Sequence, residues 1–355
     1  MDRVEILQPD NWHCHLREEE MMSWMVGQVL DNGFLGRVLV MPNTRSPVLT
    51  GSNAQFYRDQ IVKEIGYDRH GRIFEPVMTI QITEATSPEL IRVAFQEGNA
   101  KVAKVYPRYV TTNSENGVVD YKKIYNALSE AQNLGMIVCF HPEHPSYEVE
   151  GLLKEDAFLK ILEDIRLVFP RLKIVVEHVT TAAMAIWVYC QPVSVVAATI
   201  TPHHAFITLD DVLGYSESSG GKMCIHNGCK PQAKWRADRD FLVRTILEGD
   251  RHFFYGGDDA PHLKESKYGG ACGVFNTPVS LPLLIQLAVE NDSLEQLQKF
   301  LSVNGATFYG YPIADEHITF VREDWQVPAE YEVPGTGSSV VPFMAGKTMN
   351  WKLVV

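Results

Sequence analysis

The sequence predicts a (β/α)8 barrel. Two observations point to it. Short apolar, β-branched runs recur along the chain, each followed by a longer stretch of helical spacing or composition. Ionisable or metal-ligating residues stand again and again at the ends of those runs. Parallel strands need a crossover between them and, buried on both faces, read as near-continuous apolar runs. In a closed barrel their C-terminal ends converge on one face, where functional side chains sit. An open doubly wound sheet is the alternative. No G-x-G-x-x-G or G-x-x-x-x-G-K-[ST] follows any run, so a nucleotide-binding version has no support.

The apolar runs, in order, are Val4–Leu7, Arg37–Met41, Val77–Ile82, Val102–Val105, Ile137–Phe140, Ile174–Glu177, Val193–Ile200 and His252–Tyr255. Helices are expected over Glu18–Asn32, Asn53–Ile65, Ser87–Glu97, Tyr121–Leu134, Asp156–Phe169, Thr181–Tyr189 and Asp238–Glu248, and after the eighth run over Thr277–Val289 and Ser293–Leu301. Gly33 follows the first of them at once, as glycine commonly does past a helix end. The tail from about Pro312, with strand-like Val340-Val341-Pro342-Phe343 and Trp351–Val355, is expected on the outside of the barrel or beside the N-terminus. No repeat or Pro/Gly-rich linker divides the chain, so residues 1–355 read as one domain.

Composition narrows the function. A net charge of -12 argues against a nucleic-acid groove or an anionic membrane surface as partner, and leaves room for a small anionic substrate. The six cysteines are scattered without a C-x-x-C pair and read as reduced thiols. Nothing resembles a signal core or the ~20 apolar residues needed to span a bilayer, so a cytoplasmic protein is expected.

The chemistry is placed by position. His13 and His15 follow the first run. In extended backbone alternate side chains share a side, so both can reach one metal while Cys14 points away. The second run ends in Met41-Pro42-Asn43-Thr44, the fifth in His141, the sixth in His178, the seventh in Thr201-Pro202-His203-His204, and the eighth in Gly256-Gly257-Asp258-Asp259-Ala260-Pro261-His262. Lys104 lies inside an apolar run, where an ammonium is costly to bury. A neutral amine there can add carbon dioxide and become a carbamate, whose two oxygens can bridge two metals.

These motifs resemble the dihydroorotases of the amidohydrolase superfamily, the shorter, free-standing type. The likeness rests on W-H-C-H-L-R at Trp12–Arg17, M-P-N-T at Met41–Thr44, K-V-Y-P at Lys104–Pro107, T-T-N-S at Thr111–Ser114, E-H-V-T at Glu177–Thr180, A-A-T-I-T-P-H-H at Ala197–His204, D-D-A-P-H at Asp258–His262 and S-V-N-G-A-T-F-Y-G at Ser302–Gly310. The resemblance implies a metal-dependent hydrolase barrel acting on a cyclic amide. It implies interconversion of N-carbamoyl-L-aspartate and L-dihydroorotate, a step of pyrimidine synthesis. His13, His15 and Asp258 would hold one zinc, His141 and His178 a second, and N6-carboxylated Lys104 would bridge them. Asp258 would also shuttle the proton. Arg17, Asn43 and His262 match residues that grip substrate carboxylates, and Thr111 and Thr112 match a closing loop. Backbone groups near Lys230, Ala260 and Cys272 would read the ring's amides, with a looser match. A homodimer is implied too.

The chain departs from the family pattern in places. Pro142 replaces a usual glycine after His141, Gly257 stands where Thr or Ser is common, and Asp259 replaces a usual Ser. Asp258 is preferred over Asp259 as ligand, because neighbours on a strand point to opposite faces. His203 and His204 are read as structural. A hydantoinase-like cyclic-amide hydrolase, with no need for Arg17 and Asn43 as a carboxylate clamp, stays open. So does a non-catalytic relative, although every ligand position is filled.

Overall fold

The computed structural model describes residues 2–68 and 70–354. A three-stranded sheet is begun by β1 (Arg3–Leu7). The barrel consists of β2 (Asn11–Cys14), β3 (Arg37–Val40), β4 (Glu75–Ile82), β5 (Val102–Val105), β6 (Ile137–Phe140), β7 (Ile174–Val176), β8 (Val196–Ile200) and β9 (Phe253–Tyr255). These eight are hydrogen-bonded in sequence order, all in parallel. The circle closes just beyond β9, where Asp258 N donates to His13 O (2.9 Å) and His15 N to Asp259 O (3.0 Å). Helices lie between the strands, for example Gly51–Ile65, Pro88–Gln96, Lys154–Val168 and Arg236–Glu248. Their starts follow local chemistry: the hydroxyls of Thr50, Ser87 and Thr181 each accept an N–H three residues on.

One expected barrel strand is corrected. Val4–Leu7 is not the first strand of the barrel. It belongs to β1, which pairs antiparallel with β10 (His317–Gln326). The burial of β1 alternates, with Val4 and Ile6 inside and Arg3 and Glu5 outside, the pattern of a sheet covered on one face. The true first barrel strand, β2, escaped notice because Asn11 and His13 interrupt its apolar character. Asn11 is tolerated there because its Oδ1 accepts from His13 N (3.2 Å) and Gly257 N (2.9 Å).

In the tail, the short hairpin of β11 (Tyr331–Val333) and β12 (Ser338–Val340) is followed by β13 (Thr348–Val354), which pairs with β10. The C-terminal strand therefore lies in one sheet with β1; Met1 and Val355 fall outside the described residues. Polar, exposed positions along β10 hid that strand from an apolar reading. The helix expected over Ser293–Leu301 is in fact Leu294–Gln298, continued by a π turn over Lys299–Val303 and by Asn304–Tyr309.

The lower barrel interior is filled by Trp12, Leu39, Val77, Val102, Ile137, Val175 and Phe254. Trp12 stacks on Tyr309 at 4.3 Å. It fits only because residue 305 is glycine: a Cβ there would sit 2.1 Å from Trp12 Nε1. This apolar floor leaves the strand ends above it free for polar side chains. Among the described residues, no helix is long and apolar enough to cross a membrane.

Candidate metal and substrate site

Six residues singled out in the sequence converge at the upper mouth of the barrel. His13 comes from β2 and Lys104 from β5, while His15, His141, His178 and Asp258 lie just beyond the ends of β2, β6, β7 and β9. All six are buried. His13 Nε2 and His15 Nε2 lie 3.2 and 3.1 Å from the same oxygen, Asp258 Oδ1. That spacing suits three donors around a single ion. The His13 and His178 rings are 5.2 Å apart, and those of His178 and His141 4.6 Å.

Backbone strain helps to aim them. His178 and Asp258 adopt positive φ, +41° and +44°, a left-handed conformation that costs energy in residues with a side chain. At His178 the turn lets consecutive residues, Glu177 and His178, both reach the interior, which plain strand alternation forbids. Thr199 braces this corner: its hydroxyl accepts from His178 N (2.6 Å) and donates to Glu177 Oε2 (2.7 Å).

Burial acts to lower His13, but the Glu177 and Asp258 carboxylates beside it raise it above the usual histidine value; the other donors suit metal ions in charge state. Burial pushes His15 down to about 4 and carries His141 and His178 below the usual histidine range, so they are neutral imidazoles. Burial also lowers Lys104, against the pull of Glu177, toward the amine form. Burial alone would raise the Asp258 carboxyl, but His13 and His15 beside it hold it well below the usual carboxylate range. Lys104 Nζ and His178 Nδ1 are buried with no hydrogen-bond partner among the described residues. His141 Nε2 donates to Glu143 Oε2 (2.7 Å), which leaves Nδ1 for the centre. Unpaired buried donors and neutral imidazoles around an anionic carboxylate fit a metal centre.

The substrate side faces this cluster. Lys230, Ala260, Cys272, Thr111 and Thr112 line a narrow inner cleft of about 20 Å3 with the metal-type residues. An outer cavity of about 250 Å3 adjoins it, lined by Arg17, Asn43, Thr112 and His262 among others. Arg17 Nε donates to Pro261 O (3.0 Å), and its NH2 lies 3.3 Å from His262 Nε2. His262 Nε2 in turn donates to Cys272 O (3.0 Å). Both ends of the Asn43 amide are hydrogen-bonded within the protein. Its Oδ1 accepts from the Tyr106 hydroxyl (3.0 Å) and its Nδ2 donates to Thr112 O (3.0 Å), while Asn113 Nδ2 donates to Asn43 O (2.9 Å). Asn43 is thus the latch that holds the Thr111-Thr112 loop over the cleft. The Ala260 N–H is spent on Val274 O (2.9 Å), and the Lys230 side chain is exposed.

Asp259 points elsewhere than Asp258. Its Oδ1 accepts from Asn276 N (2.9 Å) and Thr277 N (2.6 Å) at the start of the helix Thr277–Glu290. Gly257 makes room for it, since a Cβ there would lie 2.5 Å from Asp259 Oδ2. His203, His204 and Cys229 form another buried group with close donor atoms. Both nitrogens of His204 are used within the protein, Nδ1 accepting from the Thr201 hydroxyl (2.8 Å) and Nε2 donating to Pro231 O (3.0 Å). That pair of bonds makes His204 a peg for the 229–231 turn.

The sequence pattern gives no role to Glu177, Tyr106, Glu143 or Asn113. Glu177 carried a legible signal, a carboxylate closing an otherwise apolar run one residue before a ligand. The other three become visible only through their partners in space.

No family model matches the chain. A dihydroorotase of Erwinia tasmaniensis is 34% identical over 356 aligned residues, covering 99% of this chain and 98% of that protein. One of Vibrio vulnificus is 36% identical, covering 99% and 100%. Among solved structures, dihydroorotase from Campylobacter jejuni aligns with a TM-score of 0.88 at 32% identity over 100% of this chain and 98% of that one. Dihydroorotase from Saccharomyces cerevisiae, in complex with 5-fluoroorotic acid, aligns at 0.89 and 28%, over 100% and 99%. An L-hydantoinase from Arthrobacter aurescens shares the fold, at 0.80 and 15% over 99% and 83%. With relatives above 30% identity along nearly its whole length, the chain belongs to the dihydroorotase family.

Proposed function

We propose that this chain is a zinc-dependent dihydroorotase, which closes N-carbamoyl-L-aspartate to L-dihydroorotate with loss of water and reopens it. The observation that carries the reading is one cleft joining two chemistries. The guanidinium of Arg17, able to grip a carboxylate, lines the same cleft as His13, His15 and Asp258. His13, His15 and Asp258 would hold one zinc, His141 and His178 the other, with carboxylated Lys104 between them. When bound, such a pair supplies Lewis-acid polarisation and a water acidified toward neutral pH.

The chain's own groups do the rest. In the hydrolytic direction Asp258, ionised and aimed at the centre, takes the proton of the attacking water. The ring C–N bond breaks, and Asp258 returns that proton to the leaving ring nitrogen. Cyclisation runs the same path backwards. Arg17 offers a planar fork to the substrate carboxylate. The latched loop of Thr111 and Thr112 excludes bulk water. Family likeness extends the proposal to a cytoplasmic homodimer.

The test is hydrolysis of L-dihydroorotate by zinc-loaded protein, beside hydantoin and dihydrouracil. Dihydroorotate should be turned over and the uncharged rings should not. Faster turnover of the uncharged rings would favour a hydantoinase. Arg17→Lys should weaken dihydroorotate by about 2–5 kcal/mol, the scale for a buried bidentate charge contact, with zinc content unchanged. Normal binding by that variant would remove Arg17 from the clamp.

A further inference from the structure

Two buried polar atoms with no hydrogen-bond partner among the described residues, Lys104 Nζ and Glu177 Oε1, face one another beneath the cluster at ion-pair distance, 3.7 Å. Both side chains are fully buried. The other oxygen of Glu177 is fully used. It accepts from His13 Nδ1 (2.8 Å) and from the Thr199 hydroxyl (2.7 Å). Thr199 also holds His178 N, so Glu177 sits on a braced corner between β7 and β8.

Carboxylation changes what Lys104 needs. When a neutral amine adds carbon dioxide, one N–C bond forms as one C=O π bond opens, one proton passes from the nitrogen to solvent, and a single N–H remains beside two oxygens that share one negative charge. If the oxygens turn to metals, the remaining N–H still requires an acceptor inside a dry pocket, where an unsatisfied donor is costly. Below Nζ stands Glu177 Oε1. The other neighbour placed by distance, the Tyr106 ring at 5.3 Å, offers only a π face.

We propose that Glu177 is the positioning residue of the centre. Through Oε2 it holds His13 Nδ1–H and so turns Nε2 toward Asp258. Through Oε1 it accepts the one N–H that carboxylated Lys104 keeps. A single carboxylate thereby sets the imidazole tautomer at one metal position and the orientation of the bridge. Hydrogen bonds behind metal ligands act in this way generally. The inference rests on the two-metal reading above. A rival acceptor exists in Gln81, which is in register with Lys104 on the neighbouring strand and whose buried amide has no hydrogen-bond partner among the described residues.

The experiment uses full-length protein with zinc and 13C-bicarbonate. It reads carbamate by 13C NMR, zinc affinity by chelator competition and folding by thermal unfolding without metal. Glu177→Gln keeps the shape but offers one acceptor oxygen where three donors use two, so its amide N–H2 must oppose either His13 and Thr199 or the Lys104 N–H. It should bind zinc about 10–100-fold more weakly and lose most of the carbamate signal. Glu177→Asp keeps the charge but is too short to reach both His13 and Thr199 on one side and Lys104 on the other. It should show the same loss, and it decides the matter if Glu177→Gln does not fold. Gln81→Met should retain signal and affinity. Wild-type signal and zinc affinity in a folded Glu177 variant overturn the proposal, as does loss of the signal in Gln81→Met alone. Wild-type protein with zinc but no carbamate sinks the bridging reading itself, an outcome distinct from a negative result confined to the variants.

Discussion

Asp258→Asn should abolish turnover while leaving zinc largely in place. Asparagine keeps the size and one coordinating oxygen near His13 and His15 but cannot accept a proton. General acid–base catalysis is worth about 10²–10⁴-fold, and a group that serves both directions belongs at the upper end. In the hydrolytic direction the carboxylate must be ionised. Wild-type activity should therefore fall as pH drops through the pKa of the loaded centre, and the residual activity of Asp258→Asn should lack that acidic limb. Asp259→Ser is the matched control. It removes the carboxylate that accepts two N–H groups at the start of Thr277–Glu290, so it should lower stability by about 0.5–2 kcal/mol, as the loss of a helix cap does, and keep most of the activity. Zinc analysis, a pH–rate profile and thermal unfolding of both variants check this. An active Asp258→Asn beside a dead Asp259→Ser would reverse the assignment.

Lys104→Ala should be the other variant with a large loss. It removes the one buried amine among the imidazoles and leaves Glu177 Oε1 without its neighbour. Turnover should fall by more than about 10²-fold, the scale for deleting one preorganised charge-stabilising group. Zinc bound per chain should fall as well. A small carboxylate such as acetate or propionate should restore part of both. Unchanged zinc content and turnover in Lys104→Ala would show that the lysine neither bridges nor orders the centre.

Much of this site could be read from the chain because local periodicity constrains it. A lysine inside the apolar run Val102–Val105, histidines closing the fifth and sixth runs, and Asp258 beyond the eighth all violate the apolar pattern at strand ends, where a barrel places its chemistry. The same reasoning misled at the N-terminus. Val4–Leu7 looked like a barrel strand because it is apolar, whereas the barrel's own first strand carries Asn11 and His13. An apolar pattern reports burial in general, and it does not say which sheet does the burying.

The sequence by itself determined the kinds of group available: imidazoles at strand ends, an amine inside an apolar run, a pair of carboxylates beyond the last barrel strand and an arginine two residues past the histidine pair. These follow from short-range spacing and from the cost of burying charge. Only the tertiary structure decided which atoms face one another. Closing β2 against the end of β9 brings His15 and Asp258 together across 243 positions of sequence. The left-handed turn at His178 lets Glu177 look inward beside its neighbour. Asn43 becomes a latch because Tyr106 and the 111–114 loop arrive from another strand. Such pairings depend on register and closure, which are set by the packing of the whole barrel and leave no mark in the spacing of any single segment.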